Sequence, residues 1–370
     1  MRDAPLPVVA RVLRGGRIES QHRGAVAAVD AEGRLLAFQG DPELPVFLRS
    51  TAKPFQAMPL LVAGGERAFR LGDDEIALLC ASHGGEPRHL RVARKILARG
   101  GFRVSDLECG ADFPMDPASA RALLRRGERP SGLHNNCSGQ HAGLLLACRL
   151  LGFPSRGYTD PGHPLQAEIL RRVAAETSTA ESEIGIAVDG CNIPVFQLPL
   201  SGLARGFARL AQSSRGTQAP REAGEGSAAD PASEIRSRIW NAMCASPAMV
   251  AGRGRFTTDL IDAGRGAWIG KEGTEAIYAM ALRSRTGEKA IGVAFKIEDG
   301  STRSRDAVAL RILEALAPIG PSARKKLAPH RRPPVRTASG KLVGEIISEV
   351  VLQVPAPPRP HRGSAAGARE

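Results

Sequence analysis

The sequence predicts a mixed α+β fold. Short strands come first along the chain and a mixture of helices and strands follows, which favours α+β over a doubly wound parallel sheet. The chain has 370 residues, of which 42% are apolar and 24% charged, so it can bury a large core. Its longest apolar runs fall well short of the ~18 residues that a membrane span needs.

The first forty residues have the pattern of paired strands. Val8–Leu13 and Arg17–Glu19 flank a glycine pair, and Ala25–Val29 and Leu35–Phe38 flank the turn at residues 30–33. Two strand pairs are therefore expected at the start of the chain.

Helical spacing of apolar residues begins at Thr51 and continues to the glycine pair at 64–65. Asp73 is a candidate N-cap for a short helix that ends at Cys80. Further elements are predicted along the rest of the chain: helices at Pro87–Leu97, Gly139–Leu151, Pro164–Ala175 and Asp306–Leu316, and buried strands at Ile184–Val188 and Ile291–Ile297.

We expect residues 1–318 to form one catalytic unit that carries a flexible loop at 212–229. Residues 319–370 are basic and Pro-rich and are expected to be partly disordered, although VGEIISEVVLQV within them is apolar enough to dock as a strand or helix. The formal net charge is +13. Nucleic-acid binding is disfavoured, because this segment has no aromatic residue on which bases could stack.

The N-terminus leads us to expect a cytoplasmic protein, and the cysteine spacing shows no disulfide framework. The six cysteines are irregularly spaced without a CxxC pair, and no basic segment followed by an apolar run opens the chain. Two of them, Cys137 and Cys191, lie in turns rich in glycine and asparagine.

Ser50 and Lys53 form a Ser-x-x-Lys motif. Residues three apart lie on one face of a helix, and Pro54 is tolerated only in a first helical turn. The positive end of the helix dipole favours a neutral lysine there, which can take the serine proton. The alternative from these residues alone is an N-capping serine beside a solvated lysine.

Other polar, glycine-rich turns make an active site the better interpretation. Each lies beside a strong core element, and together they contribute Ser82 and His83 in ASHGGEPRH, Asn135, Asn136 and Cys137 in LHNNCSGQHAG, Asp189 and Cys191 in DGCNIPVF, and Lys271 between glycines before a helical run in IGKEGTEAI.

Two further segments, LRSTAKPFQAMPL and GRFTTDL, belong with these four. In their order along the chain, the six segments resemble the Rhizobium-type L-asparaginases. The resemblance runs from about Val8 to about Leu316. It implies a serine β-lactamase- and glutaminase-like fold, with an antiparallel sheet flanked by helices, a homodimer, and L-asparagine as substrate. A glutaminase or another small-amide hydrolase, and a basic nucleic-acid-binding protein, are the alternatives.

The resemblance also implies roles for individual residues. Two Ser–Lys tandems, Ser50 with Lys53 and Ser82 with Lys271, would carry catalysis. The residues expected to bind substrate are Arg49, which would clamp the α-carboxylate, Asp189, which would lie near the ammonium, and His83, Asn135 and Asn136.

A zinc site near the catalytic residues is the implied cofactor site, with Cys137 and Cys191 as ligands. The third ligand of the family is a lysine, and here that position is Gln140, a poor zinc ligand. Zinc held by the two thiolates with His141 or water, and no zinc at all, are both open, and the metal is not expected to be essential for the chemical step.

Overall fold

The computed structural model describes residues 5–212, 231–283 and 290–356. Within these residues the main sheet has eight strands in the order β10-β11-β1-β2-β9-β8-β7, with β3 also paired to β2, and every pairing is antiparallel. A second sheet has the order β4-β6-β5. The strands are β1 Val8–Arg14, β2 Arg17–Val29, β3 Leu35–Gln39, β4 Pro45–Phe47, β5 Gly185–Val188, β6 Pro194–Pro199, β7 Trp268–Glu272, β8 Ile277–Arg283, β9 Ala290–Ile297, β10 Pro334–Arg336 and β11 Leu342–Ser348.

Helices flank the main sheet, so the predicted α+β class with an antiparallel sheet is confirmed. The α-helices are α1 Lys53–Gln56, α2 Met58–Val62, α3 Gly65–Ala68, α4 Asp73–Leu79, α5 Pro87–Arg99, α6 Pro117–Arg125, α7 Ser138–Leu151, α8 Pro164–Thr177, α9 Leu200–Gln212, α10 Pro231–Ala245, α11 Pro247–Val250, α12 Phe256–Gly264, α13 Arg305–Leu316 and α14 Pro321–Arg331. Short 3₁₀ helices lie at Arg49–Ala52, Val104–Asp106, Glu181–Glu183 and Thr302–Ser304. No helix within the described ranges is long and apolar enough to cross a membrane.

The core lies where α9 packs along β2, β8 and β9. Gly292 of β9 makes this packing possible, because an added Cβ at that position would lie 1.7 Å from the carbonyl oxygen of Ala204 in α9. The helix backbone therefore rests directly on the sheet at this point.

We expect Gly292→Ala to lower the free energy of unfolding by about 3 kcal/mol, the upper end of overpacking costs, because a backbone carbonyl cannot move aside as a side chain can. Gly320→Ala is the matched control, since an added Cβ there meets nothing within 4 Å, and it should change stability by less than about 1 kcal/mol. Thermal unfolding of both variants measures the difference. Equal losses of Tm would contradict the close helix–sheet contact.

The C-terminal segment contributes to the main sheet. β11 pairs with β1 from Ala10 opposite Ser348 to Arg14 opposite Gly344, so the expectation that part of the segment docks is confirmed. α14 packs against α12 and α13. Residues 321–348 are therefore part of the fold, since β10 and β11 extend the main sheet and α14 packs on its helices. Residues 213–229 of the predicted loop and residues 357–370 lie outside the described part of the chain.

Three local expectations were wrong in detail. Arg17–Glu19 and Ala25–Val29 belong to one 13-residue strand, β2, whose first half pairs with β1 and whose second half pairs with β9. Because the partner changes near Gly24, the polar half lacks the apolar alternation of the buried half. The helical segment after Thr51 is divided into a 3₁₀ turn, α1 and α2. The cap of α4 is Gly72 and not Asp73, with the Gly72 N–H bonded to the Glu75 carboxylate at 3.0 Å.

Two further corrections concern segments beside the candidate site. β5 is an edge strand rather than a buried one, and Ile186 and Val188 are 50% and 63% exposed. Lys271 does not precede a helix. It lies in strand β7, and residues 273–276 turn the chain into β8. This turn has positive φ at Glu275 (60°) and Ala276 (51°), a conformation that non-glycine residues adopt only under tertiary constraint.

Candidate active site

Ser50 and Lys53 lie at the start of a helical segment, as predicted. Arg49 has a φ of 48°, the 3₁₀ turn begins at that residue, and α1 follows from Lys53 with Pro54 in its first turn. Ser50 is half-buried and Lys53 is 2% exposed. The left-handed backbone at Arg49 redirects the chain from β4 into this turn.

The amine of Lys53 points into the protein towards a second serine. Its Nζ donates to the carbonyl oxygen of Ala81 at 2.6 Å and to Ser82 Oγ at 3.2 Å. A third contact joins it to Cys137 Sγ at 3.1 Å. In the described part of the chain no hydrogen bond joins Lys53 to the side chain of Ser50. The first predicted tandem is therefore adjacent along the helix but unbonded.

The second predicted tandem is in direct contact. Lys271 Nζ donates to Ser82 Oγ at 2.8 Å and to the carbonyl oxygen of Glu272 at 2.7 Å. Ser82 Oγ thus lies between two lysine amines. Burial first, and the charge of Lys53 second, lower the pKa of Lys271 well below its usual value. A buried amine with a lowered pKa beside a hydroxyl can accept a proton at moderate pH.

An ion pair lies next to Ser50 in the sequence. Arg49 Nη2 contacts Asp189 Oδ1 at 2.7 Å, and Arg49 Nε contacts the same oxygen at 3.0 Å. The side chains are 22% and 15% exposed. The pair offers one guanidinium and one carboxylate, which are the complements of an amino acid's carboxylate and ammonium groups.

The two cysteine thiols contact each other beside Lys53. A hydrogen bond with Cys191 is the largest effect that lowers the pKa of the Cys137 thiol, to about 6, and Lys53 lowers it further against the opposing effect of burial. The same contact raises the pKa of Cys191. Asn136 Oδ1 lies 2.9 Å from Cys137 Sγ, so this asparagine also belongs to the cluster.

The donor set does not fit a closed zinc site. Gln140 Nε2 bonds to Gln56 Oε1 at 2.5 Å, and the Oε1 of Gln140 and the Nε2 of His141 are buried without a hydrogen-bond partner. His141 donates or accepts at Nδ1 with Tyr158 OH at 2.8 Å. Over the described ranges, no three His, Cys, Asp or Glu side chains group closely enough to hold a metal ion. Two thiols supply only half of a tetrahedral site.

Two residues expected to bind substrate are engaged within the protein. Both ring nitrogens of His83 are bonded, Nδ1 to the Gly85 N–H at 3.1 Å and Nε2 to Ser138 Oγ at 2.9 Å, and the ring is fully buried. Asn135 bonds to the carbonyl oxygen of Cys109 and to the N–H of Cys137, both at 2.9 Å. This geometry favours a supporting role for the two side chains.

Two charged residues of the site, Arg255 and Glu272, were not predicted from the sequence. Arg255 Nη1 donates to the carbonyl oxygen of Ser82 at 3.0 Å, and its Nη2 pairs with the carboxylate of Glu272. Both residues lie inside the segments GRFTTDL and IGKEGTEAI that carry the resemblance. The sequence shows that both residues are charged, but only the fold brings them into contact across 17 residues.

Fold and site together define a mixed α+β protein with a buried serine held between two lysines. The profile of the L-asparaginase II family matches residues 10–348, and the chain belongs to this family. The predicted resemblance is thereby confirmed, and the expectation of an amidohydrolase is confirmed at the level of the family.

The similarity of the chain to solved structures is low in sequence identity. No protein with a curated description matches the chain. The chain is similar to the solved structure of Mglu in its native form, with 18% identity over 80% of this chain and 64% of that one, and a TM-score of 0.31. For Mglu in its glutamate form the identity is 17%, the coverage 79% and 60%, and the TM-score 0.31. The chain thus spans under two thirds of the length of these proteins.

Proposed function

We propose that this protein hydrolyses L-asparagine to L-aspartate and ammonia through a serine nucleophile activated by lysine. The observation that carries the proposal is the position of Ser82 Oγ between Lys53 Nζ and Lys271 Nζ, at 3.2 and 2.8 Å. Ser50 lies in the 3₁₀ turn that leads into the helix of Lys53, and it is less buried than Ser82. Membership of the L-asparaginase II family supports the reaction class.

Asparagine would enter by replacing the ion pair of Arg49 and Asp189. Its α-carboxylate takes the guanidinium and its ammonium takes the carboxylate, so each protein charge exchanges one partner for another of the same sign. Because both side chains are mostly buried, the exchanged contacts are worth more than surface pairs. This orientation leaves the side-chain amide to reach the neighbouring Ser50.

The two lysines and Ser82 would relay one proton. Lys53 passes a proton to Ser82 Oγ while the Ser82 hydroxyl passes its own to Lys271, so that Lys53 becomes a neutral amine. Like-charge repulsion between two amines that share one hydroxyl disfavours two ammonium groups at once. Burial, and after it this repulsion from Lys53, lower the pKa of Lys271.

Attack on the amide then proceeds from Ser50. Neutral Lys53 takes the Ser50 proton as Oγ bonds to the amide carbon, and backbone N–H groups near Ser50 hold the oxyanion. The C–N bond breaks, and Lys53 returns its proton to the departing ammonia. Water then attacks the ester carbon as Lys53 takes its proton, the bond from that carbon to Ser50 Oγ breaks, and Lys53 returns the proton to Ser50 Oγ as aspartate leaves.

The test is ammonia release from L-asparagine and from L-glutamine by the purified protein, Ser50→Ala and Ser322→Ala. Ser322 is exposed, so its variant controls for the substitution itself. We expect asparagine turnover by the protein and the control, and a loss of at least about 10³-fold in Ser50→Ala. Glutamine is a second arm because one methylene changes binding by only about 1–3 kcal/mol.

Three outcomes would contradict the proposal in different ways. Full asparagine turnover in Ser50→Ala would remove Ser50 from its role, and an ester found on Ser82 by mass spectrometry would move the nucleophile there. Preference for glutamine would replace the substrate but keep the chemistry. Zinc binding, a homodimer and a cytoplasmic location stay predictions, and adding zinc to each assay tests the first.

A further inference from the structure

We propose that Arg255 is a positioning residue for this reaction, because it ties the backbone of Ser82 to the carboxylate of Glu272 and so holds Ser82 Oγ between the two lysines. The inference rests on the proposed function and adds to it a residue that contacts neither Ser50 nor the Arg49–Asp189 pair. Arg255 lies immediately before α12, and its side chain is 24% exposed.

The guanidinium of Arg255 connects separate segments of the chain. Its Nη1 donates to the carbonyl oxygens of Ser82 at 3.0 Å and Ala251 at 3.4 Å, and its Nη2 pairs with Glu272 Oε1. A planar fork of donors can make these contacts at once, whereas the compact ammonium of a lysine cannot.

The backbone of Ser82 is held on both sides by the segment that carries Arg255. The Ser82 N–H donates to the carbonyl oxygen of Val250 at 3.0 Å, and its own carbonyl accepts from Arg255. Fixed peptide groups fix the position of Cβ, so that Oγ is confined to a few staggered positions about the Cα–Cβ bond. Loss of the Arg255 contact frees the carbonyl, and with it the approach of Oγ to Lys53 and Lys271.

Glu272 connects the same guanidinium to Lys271. The Glu272 side chain is 4% exposed, its Oε2 lies 2.9 Å from Arg305 Nη2, and its backbone carbonyl accepts from Lys271 Nζ at 2.7 Å. Burial alone would raise the pKa of the Glu272 carboxyl, but the guanidiniums of Arg305 and Arg255 lower it. Arg255 therefore acts on both partners of the Ser82–Lys271 bond.

Arg305 separates positioning from simple stabilisation. It binds the other oxygen of the Glu272 carboxylate and also pairs with Asp306 at 2.8 Å, but it makes no contact with Ser82. If Arg255 only neutralised a buried carboxylate, its removal and the removal of Arg305 would have similar consequences. A positioning role makes the consequences differ in turnover.

The experiment compares Arg255→Gln, Arg255→Lys and Arg305→Gln with the unaltered protein in asparagine hydrolysis, with Tm measured for each. We expect Arg255→Gln to lower kcat about 100-fold with KM within threefold, because a small displacement of a reacting group has an effect of that size. Arg255→Lys should recover part of this loss, and Arg305→Gln should keep kcat within about threefold per folded molecule while lowering Tm. Unchanged kcat in Arg255→Gln, or an equal loss in Arg305→Gln, would overturn the proposal.

The pH profile gives a readout that a structural role would not move. The charged and titratable groups that act on Lys271 are Lys53, Glu272, Arg255 and Cys137, and Arg255 lowers its pKa. Arg255→Gln should therefore move the acid limb of kcat to higher pH, and an unmoved limb would count against the proposal.

If the unaltered protein releases no ammonia from either amide, the proposed function is refuted but the role of Arg255 is not yet tested. In that case a crystal structure of Arg255→Gln decides. Displacement of Ser82 Oγ beyond hydrogen-bond distance of Lys53 or Lys271 would support the positioning role, and an unmoved Oγ would overturn it.

Discussion

Replacing Lys53 by arginine is expected to lower kcat for asparagine by about 10³-fold or more. A guanidinium stays protonated at any pH at which proteins fold, so it can neither take the Ser50 proton nor enter the relay through Ser82. General-base catalysis is worth about 10²–10⁴-fold in rate. Lys53 is also 2% exposed, and its amine is bonded to Ala81, Ser82 and Cys137. The larger guanidinium of arginine cannot occupy this position without displacing these neighbours.

Lys325→Arg is the matched control for this substitution. Lys325 is exposed on α14, so the same change of side chain should leave activity and Tm unaltered. Steady-state ammonia release and thermal unfolding of both variants provide the comparison. More than a tenth of wild-type kcat in Lys53→Arg would exclude Lys53 as the base.

The second large effect is expected from Lys271→Met, which should lower kcat by about 10²–10⁴-fold and remove the acid limb of the pH profile. In the unaltered protein the relay needs a neutral Lys271. Burial and Lys53 lower its pKa, so activity is present above that lowered pKa and is lost as the pH falls through it. Methionine has a similar length and no proton acceptor, so no such limb remains.

The measurement is kcat against pH for Lys271→Met and for Lys341→Met, an exposed lysine between β10 and β11. The control should keep both the rate and the acid limb of the unaltered protein. An acid limb that persists in Lys271→Met would assign the titration to another group, and Lys271 would then have no part in proton transfer.

Local patterns predicted much of the fold. The helices at Pro87–Arg99, Ser138–Leu151 and Pro164–Thr177 agree with their predicted ranges to within two residues at either end. Apolar spacing, a proline at the start of the first and third, and glycine or polar residues at the end are all encoded in adjacent residues. Lys271 was misplaced before a helix because the short apolar segment that follows it has no clear period. Pairing with β8 decides that β7 is a strand.

The exposure of β5 was another property that the sequence could not convey. Ile186 and Val188 have the composition of a buried strand, and their exposure follows from the position of β5 at the edge of the small sheet. Which strand lies at an edge depends on the topology of the whole chain and not on its own residues.

By itself the sequence determined the α+β class, the family, and the residues from which a site can be built, since secondary structure and motifs are written in local spacing. Only the tertiary structure decided how those residues meet. Lys53 lies one helical turn from Ser50, yet its hydrogen bond goes to Ser82, 29 residues away, and the other partner of Ser82 is 189 residues away. No local pattern records such contacts, because they are set by how the sheet and helices pack.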